Sequence, residues 1–340
     1  MGSDFFPVGK LPLDLLERLL TGVGEGDPNV LAGPGVGVDA SVIRFGSETL
    51  VFKTDPITFT SGDLPWYLVT INSNDIACMG GTPRYLLATF LLPEGRTSRA
   101  AVENLFAEMK TACSAFGITL AGGHTEITHG LDRPIAIGFM IGTLDGRDFI
   151  RPSGARPGNA VLLSKRIPIE ATAVVAAEKG EGLGLDTATL ERAKALVKDP
   201  GISILEEARI ARDFGGVTAM HDPTEGGLAT GLKELAHASG FGMRIERDRI
   251  RVLDLAEKIL PRFSIDPLGA LASGSLLVCC ERDRAEGILK AWADRGIEGA
   301  LIGEVTEGPE TVLLEGGTVR ALPEFGTDEI TRIFSQAQPS

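Results

Sequence analysis

Between residues 39 and 144 the apolar pattern changes period repeatedly, and the order of those changes restricts the fold more than any other feature of the chain. "VDASVIRFGSETLVFKTD" carries two β-branched runs that meet at a glycine-containing turn near Phe45–Glu48, the pattern of a hairpin. A helix is expected over about 65–79, with Pro65 in its first turn, where a missing N–H costs nothing. "PRYLLATFLL" (83–92) reads as a strand. Residues 99–116 repeat Val102, Leu105, Phe106, Met109, Cys113 and Phe116 at helical spacing and stop at Gly117. "ITLAGG" and "PIAIGFMIGTL" are two further strands. The order β-β-α-β-α-β-β within about 110 residues predicts an α+β domain, helices lying on one face of a largely antiparallel sheet.

"RPSGARPGN" (151–159), rich in Pro, Gly and Arg, is the best linker in the chain and divides it into residues 1–150 and 151–340. A length of 340 residues suits two domains of ordinary size. "AVLLSK" opens the second, expected to be α/β, with helices near 187–197, 203–213 and 225–238 and strands near 243–246, 275–280 and 299–305. Ahead of the first domain's hairpin, residues 13–20 form a short amphipathic helix followed by a Gly-rich stretch.

With 43% hydrophobic and 23% charged residues the chain is globular. No run of eighteen apolar residues exists to span a bilayer. The N-terminus lacks the basic and apolar segments of a signal peptide, and Phe6 stands where myristoylation requires Ser or Thr. Cys78, Cys113, Cys279 and Cys280 form neither a disulfide framework nor a CxxC pair, so a reducing cytoplasm is expected. The net charge of 33 − 46 = −13 argues against nucleic acid as a partner. It leaves room for nucleotides, because carboxylates hold phosphates through divalent metals.

The polar residues of "NSNDIACMGG" (72–81) are the oddity of the first domain. Asp75 shares a helix face with Leu68, Ile71 and Met79, and a buried carboxylate requires an Arg, a set of backbone N–H groups or a bound cation. Asp39 precedes the first hairpin strand and Asp55 follows the second, so antiparallel pairing brings them to one edge. Three acids converging there would repel unless a hard cation lay among them. In "LAGGHTEIT", Gly122 and Gly123 permit close backbone approach, and their N–H groups suit a phosphate. His124 is the one group there able to exchange a proton near neutrality. "HDPTEGGL" reads as a helix start with Asp222 as N-cap, Pro223 at N1 and Glu225 at N3, leaving Gly226 and Gly227 to be explained by a close-lying phosphate or backbone.

The motifs "GVDASVI", "KTDPITF", "NDIACMGGTP", "AGGHTE" and "HDPTEGGL", in this order, resemble the aminoimidazole-ribonucleotide (AIR) synthetase, or PurM-like, superfamily. The resemblance is nearest to its HypE-like, hydrogenase-maturation branch. It implies a two-domain fold whose N-terminal sheet pairs with that of a second subunit into a β-barrel, making a homodimer. It implies ATP and Mg²⁺ as cofactors, with Asp39, Asp55, Asn74, Asp75, Gly122, Gly123, Asp222 and Glu225 binding the nucleotide. Metal ligation falls to Asp39, Asp55, Asp75 and Asp222; His124 stands where HypE proteins have an acid, and its candidate catalytic role rests on its own proton chemistry rather than on the resemblance. The expected activity is transfer of the ATP γ-phosphoryl group to an oxygen of a small-molecule or protein-borne acceptor. The alternatives are a nucleotide-binding partner of a maturation complex without chemistry of its own, and a small-molecule kinase of the thiamine-phosphate kinase type. HypE proteins end in a cysteine that carries a carbamoyl group. This chain reads "FSQAQPS" there, so it is not expected to carry that group itself.

Overall fold

A computed structural model of the chain describes Phe6 and residues 9–23, 26–60 and 62–335. The first five positions, read above for targeting signals, and most of the "FSQAQPS" end lie outside them. The chain divides into two compact units. One is built from Asp39–Phe149 with the short strand upstream; the other holds everything from Ile150 together with the N-terminal helix and Pro34–Val38. The break at Phe149–Ile150 falls at the start of the proline-rich linker. The amphipathic helix α1 (Leu13–Leu20) groups with the later unit rather than with the residues that follow it in sequence.

The earlier unit runs β1 (Val30–Ala32), β2 (Ser41–Phe45), β3 (Glu48–Ile57), α2 (Leu64–Cys78), β4 (Thr82–Pro93), α3 (Arg99–Ala115), β5 (Thr119–Thr128) and β6 (Ile135–Thr143). Its six strands form one sheet in the order β1-β2-β3-β6-β4-β5, antiparallel except for the β4–β5 pair. The α+β order read from the sequence is therefore the order found. Ser98 caps α3 by accepting the Ala101 N–H at 3.1 Å, and Gly117 ends it with φ +64°. Both helices pack on the face lined by Val51, Leu86, Phe90 and Met140. The opposite face carries Phe52, Tyr85, Leu87, Phe139 and Ile141, and of these Tyr85, Leu87 and Phe139 are exposed.

The later unit contains β7 (Ala160–Ser164), α4 (Ile169–Lys179), α5 (Thr187–Ala195), α6 (Leu205–Phe214), β8 (Val217–His221), α7 (Gly227–Ser239), β9 (Met243–Glu246), α8 (Asp254–Ile259), β10 (Leu277–Cys280), α9 (Ala285–Ala293), β11 (Gly299–Val305), β12 (Val312–Glu315), β13 (Thr318–Ala321) and α10 (Arg332–Ser335). Its seven-stranded sheet runs β13-β12-β9-β11-β7-β10-β8, with one parallel pair, β9–β12. Strand β7 lies inside that sheet, which is why "AVLLS" is apolar on both faces. Its core joins Val161, Leu163, Leu228, Leu232, Ile245 and Leu277. Among the described residues, no helix is long and apolar enough to cross a membrane.

Candidate functional site

Strand β3 alternates strictly, so Val51, Lys53, Asp55 and Ile57 point to the helix-covered face. The strand runs on to Ile57, which places Asp55 inside it rather than just after it. Across from it, α2 presents Asn72 and Asp75. The Lys53 ammonium lies between the acids, 3.3 Å from Asp55 Oδ2 and 3.2 Å from Asp75 Oδ1. Burial works against the lysine's charge, but Asp75, then Asp55 and Asp39, outweigh it and hold the ammonium well above its ordinary pKa. Lys53 is thus the direct partner of the mid-helix carboxylate, and sequence reasoning missed it. An inward lysine in a strand gives no signal until the register of the neighbouring helix is known.

Asn72 explains the other polar residue of α2. Its Oδ1 accepts the Asp55 N–H at 3.0 Å, and its Nδ2 donates to the Asp55 carbonyl at 3.4 Å and to Leu68 at 2.9 Å. It pins the strand where Asp55 is displayed. Gly138, paired with Asp55 across β3–β6, leaves the room: a Cβ there would come within 2.5 Å of the Asn72 amide. Asn74 is fully buried on the same helix, and Asp39 is buried ahead of β2. Asp39, Asp55 and Asp75 offset by Lys53 leave a formal charge of −3 + 1 = −2, carried on hard oxygen donors. That donor set fits a divalent oxygen-seeking cation such as Mg²⁺.

Gly122 and Gly123 belong to the edge strand β5, not to a turn, and the pairing with β4 skips Ala121 to make a bulge. Gly123 has φ +147°, and a Cβ there would overlap the Ala88 carbonyl of β4, so packing alone demands glycine. Gly122 has no such excuse, since a Cβ would meet only Leu87 at 3.9 Å. His124 follows on the open strand, 66% exposed, with its Nε2 3.3 Å from Glu126 Oε2. Thr128 and then His124 hold the Glu126 carboxyl below its ordinary pKa.

The "HDPTEGGL" segment belongs to the later unit. The capping box expected there does not form: α7 starts at Gly227 with Gly226 before it in the left-handed region, and Asp222 through Glu225 are loop. Asp328, more than a hundred residues on, accepts the Gly226 N–H at 2.6 Å and so takes the role assigned to a local cap. Gly227, with φ +67°, lies against the Leu268–Ala270 backbone, where a Cβ would clash. Asp222 is 1% exposed. Behind it, His221 Nε2 is 3.1 Å from Glu234 Oε2, and Lys10 Nζ is 3.1 Å from Glu234 Oε1. Burial opposes ionisation of Glu234, but Lys10 and His221 prevail and bring its pKa down to about 2. The Lys10 backbone N–H donates to Glu225 Oε1 at 2.9 Å.

Residues 37–144 match the N-terminal domain of AIR synthase related proteins, and residues 156–315 match their C-terminal domain. The chain belongs to the AIR synthase-related, PurM-like superfamily, and it has that superfamily's two-domain fold. Within it the chain falls in the HypE-like branch. It is 31% identical over 267 residues to the carbamoyl dehydratase HypE of Cupriavidus necator, covering 76% of this chain and 73% of the relative. A HypE structure solved in a HypE–HypF complex superposes with a TM-score of 0.75 at 23% identity, over 92% of this chain and 99% of that one. A HypE structure in complex with ATP gives 0.71 at 23% identity, over 92% and 96%.

Proposed function

We propose that this protein is a Mg²⁺–ATP-dependent enzyme of the cytoplasm that activates an oxygen of its acceptor by phosphoryl transfer. The observation that carries the reading is the acid set of Asp39, Asp55 and Asp75 on the approach to β2, β3 and α2, with the buried Lys53 paired to Asp55 and Asp75. These three acids present hard oxygen donors, the ligand type that Mg²⁺ prefers. Asp39, Asp55 and Asp75 of the earlier unit hold Mg²⁺, and Asp222 is the later unit's own candidate metal ligand. When bound, the metal neutralises the charge on the transferring phosphoryl group.

The chain's own residues do the rest. Lys53 keeps Asp55 and Asp75 ionised and close against their mutual repulsion. Asn72 fixes the Asp55 backbone, and Asn74 belongs to the same nucleotide-binding stretch. Gly122 lets a phosphate approach the β5 backbone, whose outer edge carries unpaired strand N–H groups. His124, in the open beside Glu126, accepts or holds the acceptor's proton. Asp222 and Glu225 supply the nucleotide contacts of the later unit. A protein-borne acceptor suits the branch, since a HypE relative was solved in a complex with HypF. All four cysteines of this chain are buried, which disfavours any of them as a group carrier.

The apolar open face of the first sheet supports a homodimer, because Tyr85, Leu87 and Phe139 together form a patch that a monomer would leave in water. The deciding experiment is an ATPase assay with Mg²⁺, with and without candidate acceptors, scored for phosphate and for ADP. ADP formation that depends on Mg²⁺ and rises with an acceptor supports phosphoryl transfer. ATP binding with no turnover under any acceptor would leave only the partner-protein reading.

A further inference from the structure

The segment ahead of α1 meets the 222–225 loop of the later unit, and the proposed chemistry gives it no part. The Lys10 main-chain N–H donates to Glu225 Oε1 at 2.9 Å. A Cβ on Gly9, whose φ is +130°, would fall 2.7 Å from that same oxygen, so glycine lets the chain pass close to Glu225. The Lys10 ammonium lies 3.1 Å from Glu234 Oε1 on α7, and the other oxygen of that carboxylate lies 3.1 Å from His221 Nε2. His221 immediately precedes Asp222 in the chain. Lys10 therefore braces both ends of the loop: Glu225 directly, and the Asp222 end by way of Glu234 and His221.

Two more contacts hold the N-terminal residues on α7. Glu17 Oε1 of α1 lies 3.4 Å from His237 Nε2, three residues beyond Glu234 and on the same helix face. Gly37, with φ +73°, passes against the Glu234 carbonyl, where a Cβ would fall at 2.6 Å. The loop needs such bracing, because α7 begins only at Gly227 and Asp222 through Glu225 have no helix of their own to set them. Glu234 is 5% exposed, and a buried carboxylate held by two charged or polar partners keeps one geometry better than a surface pair does.

We propose that Lys10 is a positioning residue for the nucleotide contacts of the later unit. Its N–H holds the Glu225 carboxylate, and its ammonium, through Glu234 and His221, holds the backbone that displays Asp222. The inference rests on the reading that Asp222 and Glu225 contact ATP.

Titration calorimetry of Mg²⁺–ATP into the full chain and four variants tests it, with melting curves to show that each variant is folded at the titration temperature. Lys10→Met keeps the N–H and the aliphatic stem, removes the ammonium, and should weaken ATP by about tenfold. Glu234→Gln should weaken it by a similar factor, and the double variant by no more than either single one, since both act along one chain of contacts. Lys10→Arg should keep affinity within about threefold of the unmodified chain. Lys233→Met removes a lysine of the same helix that pairs with the exposed Glu324, and should leave affinity unchanged. Unchanged affinity in Lys10→Met would overturn the proposal. So would a loss in Lys10→Met with none in Glu234→Gln, which would make Lys10 a direct ATP contact, or an equal loss in Lys233→Met, which would make the effect one of net charge. Each of those results leaves the proposed function standing, whereas an unmodified chain that binds no Mg²⁺–ATP would overturn that function and this inference together.

Discussion

Replacing Lys53 by methionine keeps most of the aliphatic stem and removes the charge that lies between Asp55 and Asp75. Breaking a buried ion pair by deleting one partner costs roughly 3–5 kcal/mol, because the remaining carboxylates stay buried without compensation. Asp75, with a side chain 6% exposed, bears that cost in full. Asp55, at 33%, is partly screened by water, which puts the expectation near the lower end, about 3 kcal/mol. With a urea m-value of about 2 kcal/mol/M, the midpoint should fall by about 1.5 M. Trp66 on α2 and Trp292 on α9 report the two units, and the loss is expected in the Trp66 signal. Asp75→Asn added to Lys53→Met should cost far less than the sum of the single changes, since the second substitution removes the stranded charge. A Lys53→Met penalty below about 1 kcal/mol, or additive single and double changes, would refute the ion-pair account of the α2 carboxylate.

Gly123→Ala should destabilise by more than about 2 kcal/mol, measured by urea unfolding, because its Cβ would overlap the Ala88 carbonyl. Gly122→Ala should leave the midpoint within about 0.5 kcal/mol yet weaken ATP in calorimetry, since only a ligand needs that space. His124→Ala should lower turnover at saturating ATP and leave ATP affinity within a few-fold; a loss of affinity alone would make it a binding residue, and no change in either would make it scaffold. The later unit should lose stability at both ends of the pH range. Glu234, with its folded pKa near 2, contributes stability above the ordinary carboxylate range that is lost as pH falls toward 2. Burial lifts Glu170 to about 7, so its folded form holds a proton that the unfolded chain releases near 4.5, and stability falls as pH rises from about 4.5 to about 7 and then levels off. Urea midpoints followed by Trp292 should drop from about pH 4.5 to about pH 7 and level off above it, and Glu170→Gln should flatten that slope.

Local pattern carried most of the first unit. The strands, α3 with its serine cap and glycine stop, and the nearness of Asp39 and Asp55 all follow from periodicity and short-range turns. What pattern missed is nonlocal. Helix α4, "IEATAVVAAEK", is buried nearly all round and shows no polar stripe to betray its period. Strand β8 is short and half apolar, defined by its pairing with β10 rather than by its own residues. The start of α7 satisfied a capping rule on paper, but Asp328 from the far end of the chain supplies the acceptor. The acids of the candidate site were legible because carboxylates inside apolar segments stand out; Lys53 was not, because a lysine in an alternating strand looks solvent-facing until α2 is laid across it.

Isothermal titration of ATP into the full chain, with Mg²⁺ and then with excess EDTA, tests the central claim most directly. The account predicts saturable binding with Mg²⁺ that weakens by at least about tenfold when the metal is removed, and the same loss in Asp39→Asn with Mg²⁺ present. ATP affinity that is equal with and without Mg²⁺, or unchanged in Asp39→Asn, would contradict it.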